Sequence, residues 1–181
     1  MPRINPIDPS TATGDAATHL ATVRKMLGGT PNLFTTVAHS PAALGALLGM
    51  ITNLGKGVLG GKTGELIAVT VANANRCGYC LAAHTALGLG AGLSPDALQA
   101  ARHAQAADAK TTALLTLAAA INQSRGQIDD ATLAAARAAG VTDAEIVEVV
   151  AAVAANVFTN YLNNVARTTI DFPEIPLTAA A

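Results

Sequence analysis

Three places along this chain are written as helix openings. Ser40-Pro41 and Ser94-Pro95-Asp96 each pair an N-cap hydroxyl with proline at the first helical position. There the missing N–H costs little and the fixed φ is already helical. Thr142-Asp143-Ala144-Glu145 is a capping box, in which the Thr and Glu side chains each accept the other's free backbone N–H, and an apolar run follows it. Glycines supply the stops: Gly28-Gly29, Gly90 and Gly92, Gly126 and Gly140. Between these signals the expected helices cover 15–27, 32–39, 41–54, 63–75, 78–89, 95–103, 108–123, 129–139 and 142–167.

One segment competes with that reading. Glu65-Leu66-Ile67-Ala68-Val69-Thr70-Val71-Ala72 is apolar and rich in β-branched residues, as a buried strand would be. Its length and its alanine-rich surroundings favour a buried helix. The expected fold class is therefore all-α, one helical domain over residues 1–181. A proline-bearing arm at 1–14 and an extended tail at 171–181, with Pro173 and Pro176, flank it. Gly55, Gly57, Gly60 and Gly61 read as a flexible connection. With 51% hydrophobic and only 13% charged residues, the helices are expected to pack closely through Ala and Leu, within and between subunits.

Composition also excludes partners. A net charge of −1, with Arg and Lys scattered, provides no basic face for nucleic acid. Met1 to Pro9 holds three prolines and no apolar core, unlike an export signal. The apolar run 146–158, interrupted by Glu148 and Asn156, is shorter than the roughly 20 residues that span a bilayer. A soluble cytoplasmic protein is the expectation.

The two cysteines, Cys77 and Cys80, are three residues apart. So short a loop restrains almost nothing in the unfolded chain, which makes a structural disulfide a poor explanation and thiol chemistry a better one. On the expected helices Cys77 falls at an N-terminus, Cys80 one turn in and His84 one turn further, so neighbouring members share a face. Glu65, on the preceding helix, can fold back against that face. A thiol reacts as the thiolate, and its ordinary pKa of about 8.5 leaves little of it at neutral pH. A helix N-terminus and a neighbouring imidazole favour the anion, and a carboxylate behind the imidazole fixes its tautomer. Glu65 by itself also fits a first-turn residue that complements the helix dipole. Cys77 sits nearer the helix N-terminus and Cys80 nearer His84, so both remain open as the attacking thiol. Cys77, Cys80 and His84 supply only three zinc ligands, where a structural site takes four, and His19, His39 and His103 are isolated.

The segment Glu65-x11-Cys77-Gly78-Tyr79-Cys80-x3-His84 resembles the signature of the alkylhydroperoxidase D-like, peroxidase-related branch of the carboxymuconolactone decarboxylase family. The C-terminal stretch Phe158-Thr159-Asn160-Tyr161-Leu162-Asn163-Asn164, continuing to Ile170-Asp171-Phe172-Pro173, resembles that branch as well. The resemblance implies an all-helical antioxidant fold assembling as a homo-oligomer, a trimer or hexamer. It implies a hydroperoxide reductase fed by an external thiol or dithiol donor, without cofactor or metal. By position it implies that Cys80 attacks the peroxide and Cys77 resolves, with His84 and Glu65 in a proton relay. Relatives often carry histidine where this chain has Tyr79 and Asn164, which implies a shorter relay and weaker peroxidase turnover. The decarboxylase branch lacks the cysteine pair, so lactone decarboxylation is not expected. A dithiol sensor or disulfide reductase without rapid peroxide turnover is the alternative reading, and a structural zinc site a further one.

Overall fold

The computed structural model describes residues 1–177; the last part of the expected extended tail, 178–181, lies outside the described residues. Among the described residues the chain forms nine helices and no strand. They are α1 (Gly14–Leu27), α2 (Asn32–Val37), α3 (Pro41–Leu54), α4 (Gly60–Ala74), α5 (Gly78–Gly90), α6 (Pro95–Ala101), α7 (Ala109–Ser124), α8 (Asp130–Ala138) and α9 (Asp143–Ala166). The starts follow the capping chemistry. Ser40 and Ser94 accept from the backbone N–H of Ala43 and Ala97, at 3.3 and 3.1 Å. At α9 both halves of the capping box form, with Glu145 N donating to Thr142 Oγ1 and Thr142 N donating to Glu145 Oε2.

The segment that could have been a strand is the central helix. α4 packs against α5, α7 and α9, and α6 also lies against it. Every residue from Leu66 to Asn73 is buried, which explains a run with no polar face. Burying side chains such as Ile67, Val69 and Val71, each 0% exposed, stabilises the fold by about 1.5–3 kcal/mol apiece.

Two expectations need correction. The glycine-rich stretch 55–61 is not a loose connection, and α4 starts at Gly60 rather than at residue 63. The carboxylate of Glu148 on α9 reaches across and accepts the N–H of Val58 at 2.9 Å and of Leu59 at 3.0 Å. Gly57 is required by that approach, because a Cβ there would lie 2.4 Å from Glu148 Oε2. The second concerns α9. Its 24 residues make it long and apolar enough to cross a bilayer, which the run 146–158 alone is not. A helix extends through polar residues that a run of apolar letters leaves out. Here the core-facing side of α9 carries Asn156, Thr159, Asn160 and Asn163, all buried against the other helices.

Within the described residues, both flanking segments are tied down. Arg3 and Ile4 donate their backbone N–H to Ala166 O, satisfying a carbonyl in the last turn of α9, and Ile7 N donates to Thr35 O. The tail is non-helical to residue 177, as its prolines dictate. Its Asp171 carboxylate accepts from Asn32 N at 2.7 Å, and Arg102 donates to Pro176 O.

Candidate functional site

The site is assembled by the turn between α4 and α5. Arg76 N donates to Asn73 O and Cys77 N to Ala72 O, the paired bonds of a Schellman ending, with Arg76 in the left-handed region at φ 52°. This reverses the chain, so that α5 returns along α4. Cys77 becomes the N-cap of α5, and its Sγ accepts the N–H of Cys80 at 3.3 Å. Cys80 thus sits in the first turn, where unpaired N–H groups favour an anion. Both thiols are free and buried, at 0% and 2% exposure.

One and a half turns into α4, beyond the first turn expected for it, Glu65 faces His84. The His84 Nδ1–H donates to Glu65 Oε2 at 2.8 Å, with the two side chains 25% and 23% exposed. Burial opposes the charged imidazolium, but the charge of Glu65 and its hydrogen bond outweigh that, and the net effect raises the His84 pKa above its ordinary value. The bond to Glu65 occupies Nδ1 and leaves Nε2 for other partners.

The two thiols diverge. The Cys80 thiol is drawn down to about 6, first by the Cys77 S–H that donates to its sulfur. Burial opposes the shift; the charge of His84 and the amides of Asn163 and Asn160 support it. Cys77 moves far above the ordinary thiol range, because its proton is engaged in that bond to Cys80 and because it is buried. Of the two candidates, Cys80 is the one the environment holds as thiolate.

Cys80 and His84 line one cavity of about 380 Å³ with Glu65 beside them. Leu33, Phe34, Leu47 and Ile51 make much of its remaining wall. Among the described residues no group of three His, Cys, Asp or Glu side chains is arranged to hold a metal ion.

Tyr79 and Asn164, where the resemblance implied a shorter relay, each make structural contacts. The Tyr79 ring is buried edge-on against Phe172, with centroids 5.8 Å apart. Its hydroxyl accepts the Leu33 N–H at 3.0 Å. Burial raises its pKa, and the Asp171 carboxylate, which accepts its O–H, adds to this. Asn164 Nδ2 donates to Asn75 O at 3.1 Å. The side chain on the sulfur is instead Asn163, whose Nδ2 donates to Cys80 Sγ at 3.2 Å. Sequence reasoning missed Asn163 and, behind it, Asn160, Asn75 and Asn122. The available signal was three asparagines, 156, 160 and 163, recurring at helical spacing inside an apolar segment, where Asn is disfavoured unless its amide has work to do.

The carboxymuconolactone decarboxylase family model matches residues 40–113 and 101–170, most of the chain. The protein belongs to this family. No curated protein matches it. Its fold is that of an uncharacterized peroxidase-related protein from Ralstonia eutropha with an alkylhydroperoxidase core (TM-score 0.83, 23% identity, 94% of this chain and 92% of that one). A peroxidase-related protein from Silicibacter sp. is similar, with TM-score 0.78 and 23% identity over 92% of this chain and 91% of that one. So is the debrominase Bmp8, solved as a cysteine-to-alanine variant with 2,3,4-tribromopyrrole (TM-score 0.78, 18% identity, 93% and 91% coverage). At these identities the likeness establishes the all-helical fold.

Proposed function

We propose that the protein is a thiol-dependent reductase of organic hydroperoxides. The observation that carries this reading is the Cys80 sulfur, buried on the wall of an apolar cavity that the hydrogen-bonded His84–Glu65 pair also lines. The Cys80 thiolate attacks the terminal oxygen of the hydroperoxide and the O–O bond breaks. Cys80 becomes a sulfenic acid, and the alkoxide leaves as alcohol after taking a proton from His84. Cys77, one turn away, attacks the sulfenic sulfur; the Cys77–Cys80 disulfide forms and water leaves. An external dithiol then reduces the disulfide and is itself oxidised to a disulfide. The sum is hydroperoxide plus dithiol giving alcohol, water and disulfide.

The cavity supports an organic substrate over hydrogen peroxide, because its wall beyond Cys80 and His84 is largely aliphatic and aromatic. Turnover of cumene hydroperoxide with dithiothreitol tests the reading. Cys80→Ser abolishes it if the assignment holds; retained turnover in that variant overturns it.

Self-association also belongs to this proposal. Val147, Val150, Phe158, Tyr161 and Val165 are exposed along one face of α9, a stripe that a second copy of the chain would cover. Sedimentation at monomer mass over the micromolar range would overturn it.

A further inference from the structure

The sulfur of Cys80 meets more than thiol and imidazole. α9 presents two amides to it from successive turns. Asn163 is 3% exposed and donates to Sγ at 3.2 Å. Asn160, one turn away, is 0% exposed; its Oδ1 accepts from Asn75 and its Nδ2 makes no hydrogen bond. A buried amide N–H without an acceptor is costly, unless a nearby anion supplies the missing charge.

The orientation of Asn160 is set from outside the site. Asn75 and Asn122 exchange two hydrogen bonds, Asn75 Nδ2 to Asn122 Oδ1 at 3.1 Å and Asn122 Nδ2 to Asn75 Oδ1 at 2.9 Å. In this arrangement Asn75 Nδ2 keeps a second N–H for a further acceptor. Its second N–H goes to Asn160 Oδ1 at 3.0 Å. The oxygen of Asn160 is thereby held toward Asn75, and its N–H group is left unpaired beside the Asn163 turn. Turned over, the amide would aim its oxygen at the thiolate and repel it.

We propose that Asn163, with Asn160 one turn away, forms an amide cradle that supports Cys80 as the attacking thiolate, and that Asn75, hydrogen-bonded to Asn122, keeps the Asn160 oxygen turned away from the sulfur. Asn163 touches the reacting atom, whereas Asn75 and Asn122 are positioning residues that act through Asn160. The cradle gives Cys80 an uncharged means of stabilisation that does not depend on a second histidine. The inference rests on the reductase reading and deepens it by assigning amides that support Cys80 as the attacking thiolate.

The titratable groups around Cys80 are Cys77, Tyr79 and His84 on α5, with Glu65 behind His84 on α4. The α9 side offers the amides, with Glu148 farther along the cavity wall.

The test is the pH dependence of iodoacetamide alkylation of the reduced protein in a Cys77→Ser background, so that one thiol reports. Asn163→Ala moves the alkylation midpoint upward and slows alkylation at pH 6.5 by about tenfold, the scale of one charge-assisted hydrogen bond. Asn122→Ala, a half-buried change away from the sulfur, moves the midpoint in the same direction by less. Far-ultraviolet dichroism confirms that each variant is folded. Both variants folded with midpoints equal to the background would overturn the cradle; a shift from Asn163→Ala alone would overturn the positioning chain. Alkylation requires no peroxide. The cradle therefore stands or falls on these midpoints, while the reductase reading stands or falls separately on hydroperoxide turnover by the unmodified protein.

Discussion

Replacing Glu65 with Gln isolates the charge behind His84. The amide oxygen of Gln can still accept the Nδ1–H that Glu65 Oε2 takes at 2.8 Å, so geometry is kept while the negative charge is lost. The side chains are about three-quarters buried, at 25% and 23% exposure, which places the pair between surface bridges worth about 0–1 kcal/mol and fully buried ones. About 1 kcal/mol of favourable interaction with the imidazolium follows, roughly fivefold in any equilibrium that depends on it. The sign is set by the raised pKa of His84. Such a group stabilises the fold fully below its unfolded pKa of about 6.5, and the contribution disappears as pH rises through the higher folded value. Urea unfolding is best followed in a Cys80→Ser background, which removes the opposing thiol titration. There the parent with Glu65 loses about 1 kcal/mol more stability between pH 6 and pH 9 than the Glu65→Gln variant does. Parallel stability curves for the two would refute the argument. In the otherwise unmodified chain the same substitution slows Cys80 alkylation near pH 6.5 by about fivefold, since His84 then carries less charge beside the sulfur.

Tyr79→Phe strands the Leu33 N–H and removes the O–H from Asp171. It lowers stability in urea by about 1–3 kcal/mol while leaving the pH midpoint of Cys80 alkylation in place; a moved midpoint would make Tyr79 part of the relay. Glu148→Ala leaves the N–H groups of Val58 and Leu59 without acceptors, and faster hydrogen exchange at those two amides, with a loss of about 1–2 kcal/mol, is the expected result. Arg76→Gly relieves a left-handed residue at φ 52° and stabilises the protein by about 1 kcal/mol, a melting temperature higher by about 2–4 °C. An unchanged or lower melting temperature would show that the Arg side chain contributes more than its backbone strain costs.

Much of the fold was legible because helix ends are governed by local chemistry. Ser40, Ser94 and Thr142 cap the helices they open, and those helices follow from neighbours within a turn. The start of α4 was not legible, because the segment before it is held by Glu148, ninety residues away in sequence. The β-branched run at 65–72 was ambiguous for a similar reason: strand and buried helix share its composition, and only packing on several sides distinguishes them.

The candidate site divides along the same line. The spacing of Cys77, Cys80 and His84 within one helix, and the return of Glu65 across a short turn, are consequences of helical periodicity, so the four residues could be read together from the sequence. Which sulfur carries the charge could not. Helix position alone favours neither thiol decisively; the difference arises first from the Cys77 proton directed at Cys80, then from the charge of His84, with support from amides on a helix some eighty residues farther along the chain. Electrostatic preference at a buried atom depends on every dipole within a few ångströms. Sequence determined which residues could react; tertiary packing decided which of them is poised to.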